Sequence, residues 1–354
     1  MKRLLFTDLH FHPHEPQATV IDGENSRLLD AVSVAAQIKH YALTNNIVEI
    51  DCLGDLFHTR KKIDIGVYDI LYTILEDYKK SGLHLNLLAG NHDIYYRNSA
   101  QVTALRPLSK FAHVINTPEL HTYNGVRFAY IPYYEKVDQL VAEIQKLPAE
   151  VYLLHAEYIG AQKSYSAKDI AKHGLSSDVF PSNVKCVLMG HYHRQQILSQ
   201  SNPLIMYLGS PLQISTREIY EDKYFYELDT ESLALKQIRT ECARFAVVEF
   251  PSEKILKFYD AKAKIEDVMK GNYVEVVMNE PIKKSSEFFK KLQTSRNYFI
   301  TNKFDKKTKH KVLEAEVSLD TLDIVSLSEM YLKDHPSETL ELDFLKSVRD
   351  KIIA

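Results

Sequence analysis

The chain has 354 residues, 45% hydrophobic and 26% charged, with a net charge of −3. Those proportions fit a soluble globular protein and exclude a disordered or collagen-like chain; the length asks for one large domain and something smaller. No apolar stretch is long enough to span a bilayer, and the opening run Leu4-Leu5-Phe6 is broken by Asp8 before it can form a signal-peptide core.

Arg3 to Thr7 reads as a first strand, and Asn25 to Thr44 has helical spacing through Leu28, Leu29, Val32, Ala35, Ala36 and Ile38. Ile47 to Leu53 is a second strand. Ile65 to Lys80 is a helix closed by Gly82, and His84 to Ala89 a third strand. Val126 to Ile131, Val151 to Leu154, Val184 to Met189 and Leu204 to Leu208 are further strands, with a helix over Lys136 to Lys146. Lys223 to Leu228 and Ala234 to Arg239 alternate like antiparallel strands. The order predicts an α/β (α+β) chain: a two-sheet sandwich flanked by helices. Past Thr240 the pattern restarts. Strands are expected at Ala246 to Phe250, Tyr273 to Met278 and Val312 to Val317, and helices at Ser252 to Met269 and Ser285 to Leu292. Two terminal helices, Ile324 to Lys333 and Glu338 to Ile353, meet at His335-Pro336.

Charge is uneven. Lys254 to Lys311 holds 15 Lys/Arg against 7 Asp/Glu, a net of +8, whereas Glu314 to Ala354 holds 4 against 10, a net of −6. Two surfaces for two partners are one reading; solvated faces are the plainer one. Cys52, Cys186 and Cys242 are scattered, which fits a reducing cytoplasm and no disulfide framework.

Five apolar runs end in metal-ligand residues: Leu4 to His10, Ile50 to Asp55, Leu87 to Asp93, Val151 to His155, and Cys186 to His193. Buried strands with ligands at their C-terminal tips are how an α/β sheet builds a site. Asp8 and His10 stand two apart, so on a continuing strand they share a side. Asp8, His10, Asp55, Asn91, His155, His191 and His193 make two carboxylates, one amide and four imidazoles. That is too many for one tetrahedral ion and suits two. Oxygen and nitrogen donors without thiolate favour Mn, Fe or Zn. Two such cations clamp a phosphate and lower the pKa of a bridging water. His92 adjoins Asn91, so it reads as an outer group that protonates a leaving oxygen, oriented by Asp93. His58 reads as a contact to phosphate or ribose. His12 and His14 read as loop residues, and the 22 Tyr mostly as core.

Asp8-x-His10, Gly54-Asp55, Gly90-Asn91-His92-Asp93, His155 and Gly190-His191-x-His193 resemble, in order, the five motifs of the calcineurin-like metallophosphoesterases. Gly54-Asp55-Leu56-Phe57-His58 and Tyr207-Leu208-Gly209-Ser210-Pro211-Leu212-Gln213 look like the SbcD / Mre-eleven DNA-repair nucleases. The length is closer to the compact form of T-even-type bacteriophages. The resemblance implies a first metal site of Asp8, His10, Asp55 and His193, and a second of Asn91, His155 and His191, with Asp55 as the bridge. It implies two Mn²⁺, with Mg²⁺ as the substitute ion, and exonuclease action (3′ to 5′) involving His58, with endonuclease action on single strands. It also implies a nuclease domain over 1–240, a DNA-capping domain over 241–320, and helices over 321–354 that dock an SbcC-like ABC-type ATPase. A homodimer through the nuclease domain, work in double-strand break processing and recombination, and a bacterial or phage-infected host cytoplasm complete the expectation. The alternatives are a small-molecule or protein phosphoesterase on the same site, and an architectural subunit that only holds an ATPase on DNA.

Overall fold

In chain order the fold opens with β1 (Lys2–Phe6), a two-strand hairpin of β2 (Val20–Ile21) and β3 (Glu24–Asn25), and helix α1 (Ser26–Thr44). Next come β4 (Glu49–Cys52), α2 (Ile65–Lys80), β5 (His84–Leu88), the hairpin β6 (Ile94–Tyr96) and β7 (Ser99–Thr103), and β8 (His113–Ile115). β9 (Glu119–Tyr123), β10 (Val126–Ile131), α3 (Val137–Lys146), β11 (Val151–His155), β12 (Cys186–Gly190), β13 (Gln196–Ser199) and β14 (Leu204–Tyr207) follow. Then come β15 (Tyr224–Asp229), β16 (Leu235–Arg239), β17 (Phe245–Phe250), β18 (Lys254–Lys257), α4 (Ile265–Met269), β19 (Tyr273–Met278), α5 (Glu287–Leu292) and β20 (Asn297–Asn302). This computed structural model describes residues 1–303 apart from Pro16, 164–168 and Ser285. The strand expected at Val312 to Val317, the terminal helix pair and the 321–354 segment lie outside the described residues.

Two six-stranded sheets form the sandwich, ordered β16-β15-β1-β4-β5-β8 and β13-β14-β12-β11-β10-β9. β1, β4, β5 and β8 run parallel, as do β10, β11, β12 and β14, so each sheet gathers its C-terminal strand tips on one edge. Strand alternation splits the apolar residues between layers. Leu5, Leu53, Leu88, Leu153 and Leu188 fill the space between the sheets. Leu4, Phe6, Ile50 and Leu87 turn outward onto α1 and α2. Tyr152, Leu154 and Val187 turn outward into the α3 layer with Leu140 and Ile144. Each fully buried side chain of this kind contributes roughly 1.5–3 kcal/mol. Asn25 caps α1 by accepting the Arg27 and Leu28 N–H groups, and Asp64 caps α2 through Gly66 and Val67. One ion pair is locked in the sandwich: Arg3 donates to both Asp51 oxygens at 2.7 Å, and Tyr130 and Asn86 also donate to that carboxylate.

A third sheet, β18-β17-β19-β20, has its own core of Ala246, Val248, Val274, Val276, Phe288 and Leu292. It leans on α1 through polar groups. Tyr273 Oη donates to Asp30 Oδ2 at 2.7 Å, and Arg296 pairs with Asp30 Oδ1 at 2.9 Å. Arg27 lies over the Phe245 and Tyr273 rings. The helix expected over Ser252 to Met269 is corrected: Lys254–Lys257 pairs antiparallel with β17, and only Ile265–Met269 is helical. Its lysines, alanines and glutamates favour helix, but pairing along an open sheet edge overrides that preference. β20 continues the sheet beside β19, where no strand was expected.

Candidate metal centre

The five expected motifs arrive at one place. His155 is the last residue of β11, and His191 and His193 follow β12 directly. Asp55 and Asn91 sit three residues beyond β4 and β5, and Asp8 and His10 follow β1. The segment after β1 runs beside the segment after β4, with the N–H groups of Asp8, His10 and Phe11 bonded to the carbonyls of Gly54, Asp55 and Leu56.

Asp8 and His10 do not converge as neighbours on a continuing strand, as their spacing predicted. β1 ends at Phe6, and both residues have left-handed backbone, with φ of 52° and 49°. Asp55 (52°) and His191 (104°) share that region. Non-glycine residues are uncommon there, and such strain clusters at functional sites. Gly54, also at positive φ, has a second reason to lack a side chain: a Cβ would run into the His155 ring.

Two donor groups result. Asp8 Oδ1 lies 3.8 Å from His10 Nε2 and 4.0 Å from His193 Nε2, and those two nitrogens are 3.0 Å apart. Asn91 Oδ1 lies 3.0 Å from His155 Nε2 and 2.7 Å from His191 Nδ1. Asp55 joins them, with Oδ2 3.7 Å from His10 Nε2 and 3.4 Å from His155 Nε2. Asp8, His10, Asp55 and His155 are almost wholly buried. Asp8 Oδ1 is buried without a hydrogen-bond partner among the described residues. An orphaned carboxylate oxygen facing imidazole nitrogens is costly unless something positive meets it. The chemistry and grouping of these seven side chains therefore suit two divalent cations.

Electrostatics agree with mutual support among the donors. Burial opposes charge on Asp55, but His155 and His10 outweigh it and hold the carboxyl well below the usual range. Burial likewise opposes charge on His155, yet Asp55 holds that imidazole up at about 9. His10 is pushed well down by burial and by His193 beside it.

Supporting groups fix the rings. His155 Nδ1 lies 2.8 Å from the Leu53 carbonyl, and His193 Nδ1 lies 3.2 Å from Glu218 Oε1. Thr7 Oγ1 donates to Asp8 Oδ2 at 2.8 Å, and so does the His191 N–H at 3.0 Å. Glu218 was not foreseen from the sequence, being 25 residues from His193. It is buried with Lys223, 2.6 Å away, and burial of its charge is outweighed by Lys223 and His193, which hold it at about 2.

The remaining expected residues line the same place. The His92 N–H donates to Asp55 Oδ1 at 2.7 Å, and its Nδ1 bonds the His58 carbonyl. The His58 ring stacks on His92 with centroids 5.5 Å apart, and its Nδ1 lies 3.3 Å from His10 Nδ1. Asp93 does not orient the His92 ring: its carboxylate accepts the Phe57 and Gly90 N–H groups at 3.0 Å, tying the two ligand loops together. Burial and the Asp55 charge push Asp93 up to about 7. His12 and His14, expected as plain loop residues, pack their rings against His58 at 5.0 and 4.6 Å.

No family model matches the chain. It is 25% identical over 229 residues to "Exonuclease subunit 1" of Enterobacteria phage T4, a match covering 63% of this chain and 65% of that protein, just under two thirds of its length. Among solved structures, an archaeal phosphodiesterase aligns over 68% of this chain and all of its own, at 11% identity and a TM-score of 0.36. Chaetomium thermophilum Vps29 aligns over 68% of this chain and 97% of its own, at 15% identity and a TM-score of 0.32.

Proposed function

We propose that this chain is a calcineurin-like metallophosphoesterase, a metal-dependent nuclease acting on DNA phosphodiesters. The observation that carries the reading is the pair of donor groups sharing Asp55, with His92 and His58 against them. When bound, two cations supply Lewis acidity and an activated water for in-line attack on a phosphoester. The chain does the rest. Asp55 sets the spacing of the two donor groups. The Leu53 carbonyl and Glu218 engage the Nδ1 atoms of His155 and His193, which leaves each Nε2 for a ligand bond. With Nδ1 engaged by the His58 carbonyl, His92 has Nε2 with which to pass a proton to the leaving oxygen. His58, stacked on His92, contacts the phosphate or sugar beside the cut.

A nucleic-acid substrate is supported by the name of the phage relative, an exonuclease subunit, and by the net +8 of Lys254 to Lys311, which supplies sequence-independent attraction to a phosphate backbone; DNA follows the family resemblance. The finer reading extends the family resemblance. It comprises Mn²⁺ as the ion, 3′-to-5′ exonuclease and single-strand endonuclease action, and a role in break repair and recombination. The third sheet caps the DNA, and the 321–354 segment docks an SbcC-like ATPase. The enzyme pairs as a homodimer in the cytoplasm. Among the described residues, no helix is long and apolar enough to cross a membrane.

The test is cleavage of end-labelled duplex DNA with Mn²⁺, with Mg²⁺ and with EDTA, for the wild type, His92→Gln and Asp8→Asn. Mn²⁺-dependent shortening that falls about 100-fold or more in His92→Gln is expected. Hydrolysis of an aryl phosphodiester while DNA stays intact, even with the ATPase present, moves the assignment to a small-substrate phosphoesterase.

A further inference from the structure

We propose that His113, Glu119 and His121 form a third cation site, for a divalent transition ion of the zinc type, apart from the centre built on the strand tips. The three residues occupy the corner where the chain leaves the first sheet at β8 and enters the second at β9. Glu119 and His121 are two apart on β9, so they share a strand face. That face is the more buried one: Glu119, His121 and Tyr123 are partly covered, while Leu120 and Thr122 are exposed. An edge strand has thus given its inward positions to a carboxylate and an imidazole, and its outward one to leucine. A second imidazole, from β8, meets them.

Both imidazole nitrogens meet one carboxylate oxygen, and the three donor atoms all lie within 4.8 Å of one another. His113 Nε2 and His121 Nε2 lie 2.7 and 2.8 Å from the same carboxylate oxygen, Glu119 Oε2. Tetrahedral zinc ligands at about 2.0–2.2 Å sit roughly 3.4 Å from one another, so the carboxylate oxygen and each nitrogen part by about half an ångström to hold an ion. His121 is already oriented, with its ring stacked on Tyr123 at 6.1 Å and edge-on to Tyr130 at 5.1 Å. His113 is half exposed, which leaves the outer side for water to complete the coordination. Two imidazoles and one carboxylate with an open side is a donor set used for zinc and for non-haem iron. The ion fastens the edge of one sheet to the edge of the other.

Metal per chain, measured after chelator stripping and equilibrium dialysis against micromolar Zn²⁺, tests the site without any assay of activity. The Asp55→Asn variant weakens the strand-tip centre by removing the charge its two donor groups share, so the zinc it loses on a further change at His113 or Glu119 reports the corner. At least one equivalent should stay on Asp55→Asn, and one should disappear when His113→Gln or Glu119→Gln is added. Zinc should also raise the unfolding temperature of Asp55→Asn more than that of the double variants. Retention of that equivalent by both double variants, or its absence from Asp55→Asn at these concentrations, overturns the proposal and leaves a glutamate hydrogen-bonded by two histidines. His113 is half exposed, so its replacement tests the site even if a change at His121 disturbs the fold.

Discussion

Asp8, His10, Asp55 and His191 carry the strain of the centre in their own backbones. The seven donors were legible because each ends an apolar run. The spacing argument for Asp8 and His10 nevertheless failed in its geometry, because left-handed turns and not strand alternation bring them together. Asp93 was misread for a related reason: adjacency in sequence suggested a partner for His92, whereas its carboxylate binds backbone N–H groups three residues before it and 36 before it. Glu218 had no local signal, because its bond to His193 exists only in three dimensions. Replacing it tests that bond. Glu218→Gln takes the charge from behind His193 and should weaken metal affinity about 10–100-fold, measured by competition with a chelator.

At the scale of elements, the parallel order of the central strands brings every ligand to one edge, and pairing keeps it there. Arg127 on β10 and Glu150 just before β11 clamp the other end of that pair, with side-chain bonds of 2.8 and 3.2 Å and a further bond from the Arg127 N–H. These bonds to Arg127 hold the Glu150 carboxyl at about 2, against 4.5 for a free group. A depressed carboxyl stabilises the fold above its unfolded value and loses that contribution as pH falls through the folded one. Urea midpoints of the wild type should therefore drop between pH 4.5 and 2, and Glu150→Gln should flatten that part of the profile. Equal profiles would show that the clamp contributes nothing. Most elements were readable from periodicity, α2 and β10 to the residue. Of the edge strands, β16 was readable, whereas β8, β9, β13, β18 and β20 were not, because a strand held by one neighbour can form from a weak pattern of its own.

For the molecule as a whole, the proposed ligand set is divided between the two sheets. Asp8, His10, Asp55 and Asn91 come from one, and His155, His191 and His193 from the other. Ions held there bind only when the sheets are docked, so they stabilise the fold in proportion to the logarithm of their concentration. A site filled at 100 times its dissociation constant contributes about 2.7 kcal/mol. Stripping with EDTA should lower the urea midpoint of the wild type, and lower it less in Asp55→Asn, where the corner ion is the main one left to lose.

The seam between α1 and the third sheet joins the polar groups Ser26, Arg27, Asp30, Tyr273 and Arg296, and beside it Ile219 packs among Phe245, Val247, Tyr273 and Val277. Residues 1–302 accordingly form one compact unit. A fragment of residues 1–240 uncovers Ile219 and strips Arg27 and Asp30 of their partners, and should unfold at lower urea than the whole chain. The excised third sheet bares Phe245, Val247, Tyr273 and Val277 on the face it loses, and should be the piece that aggregates.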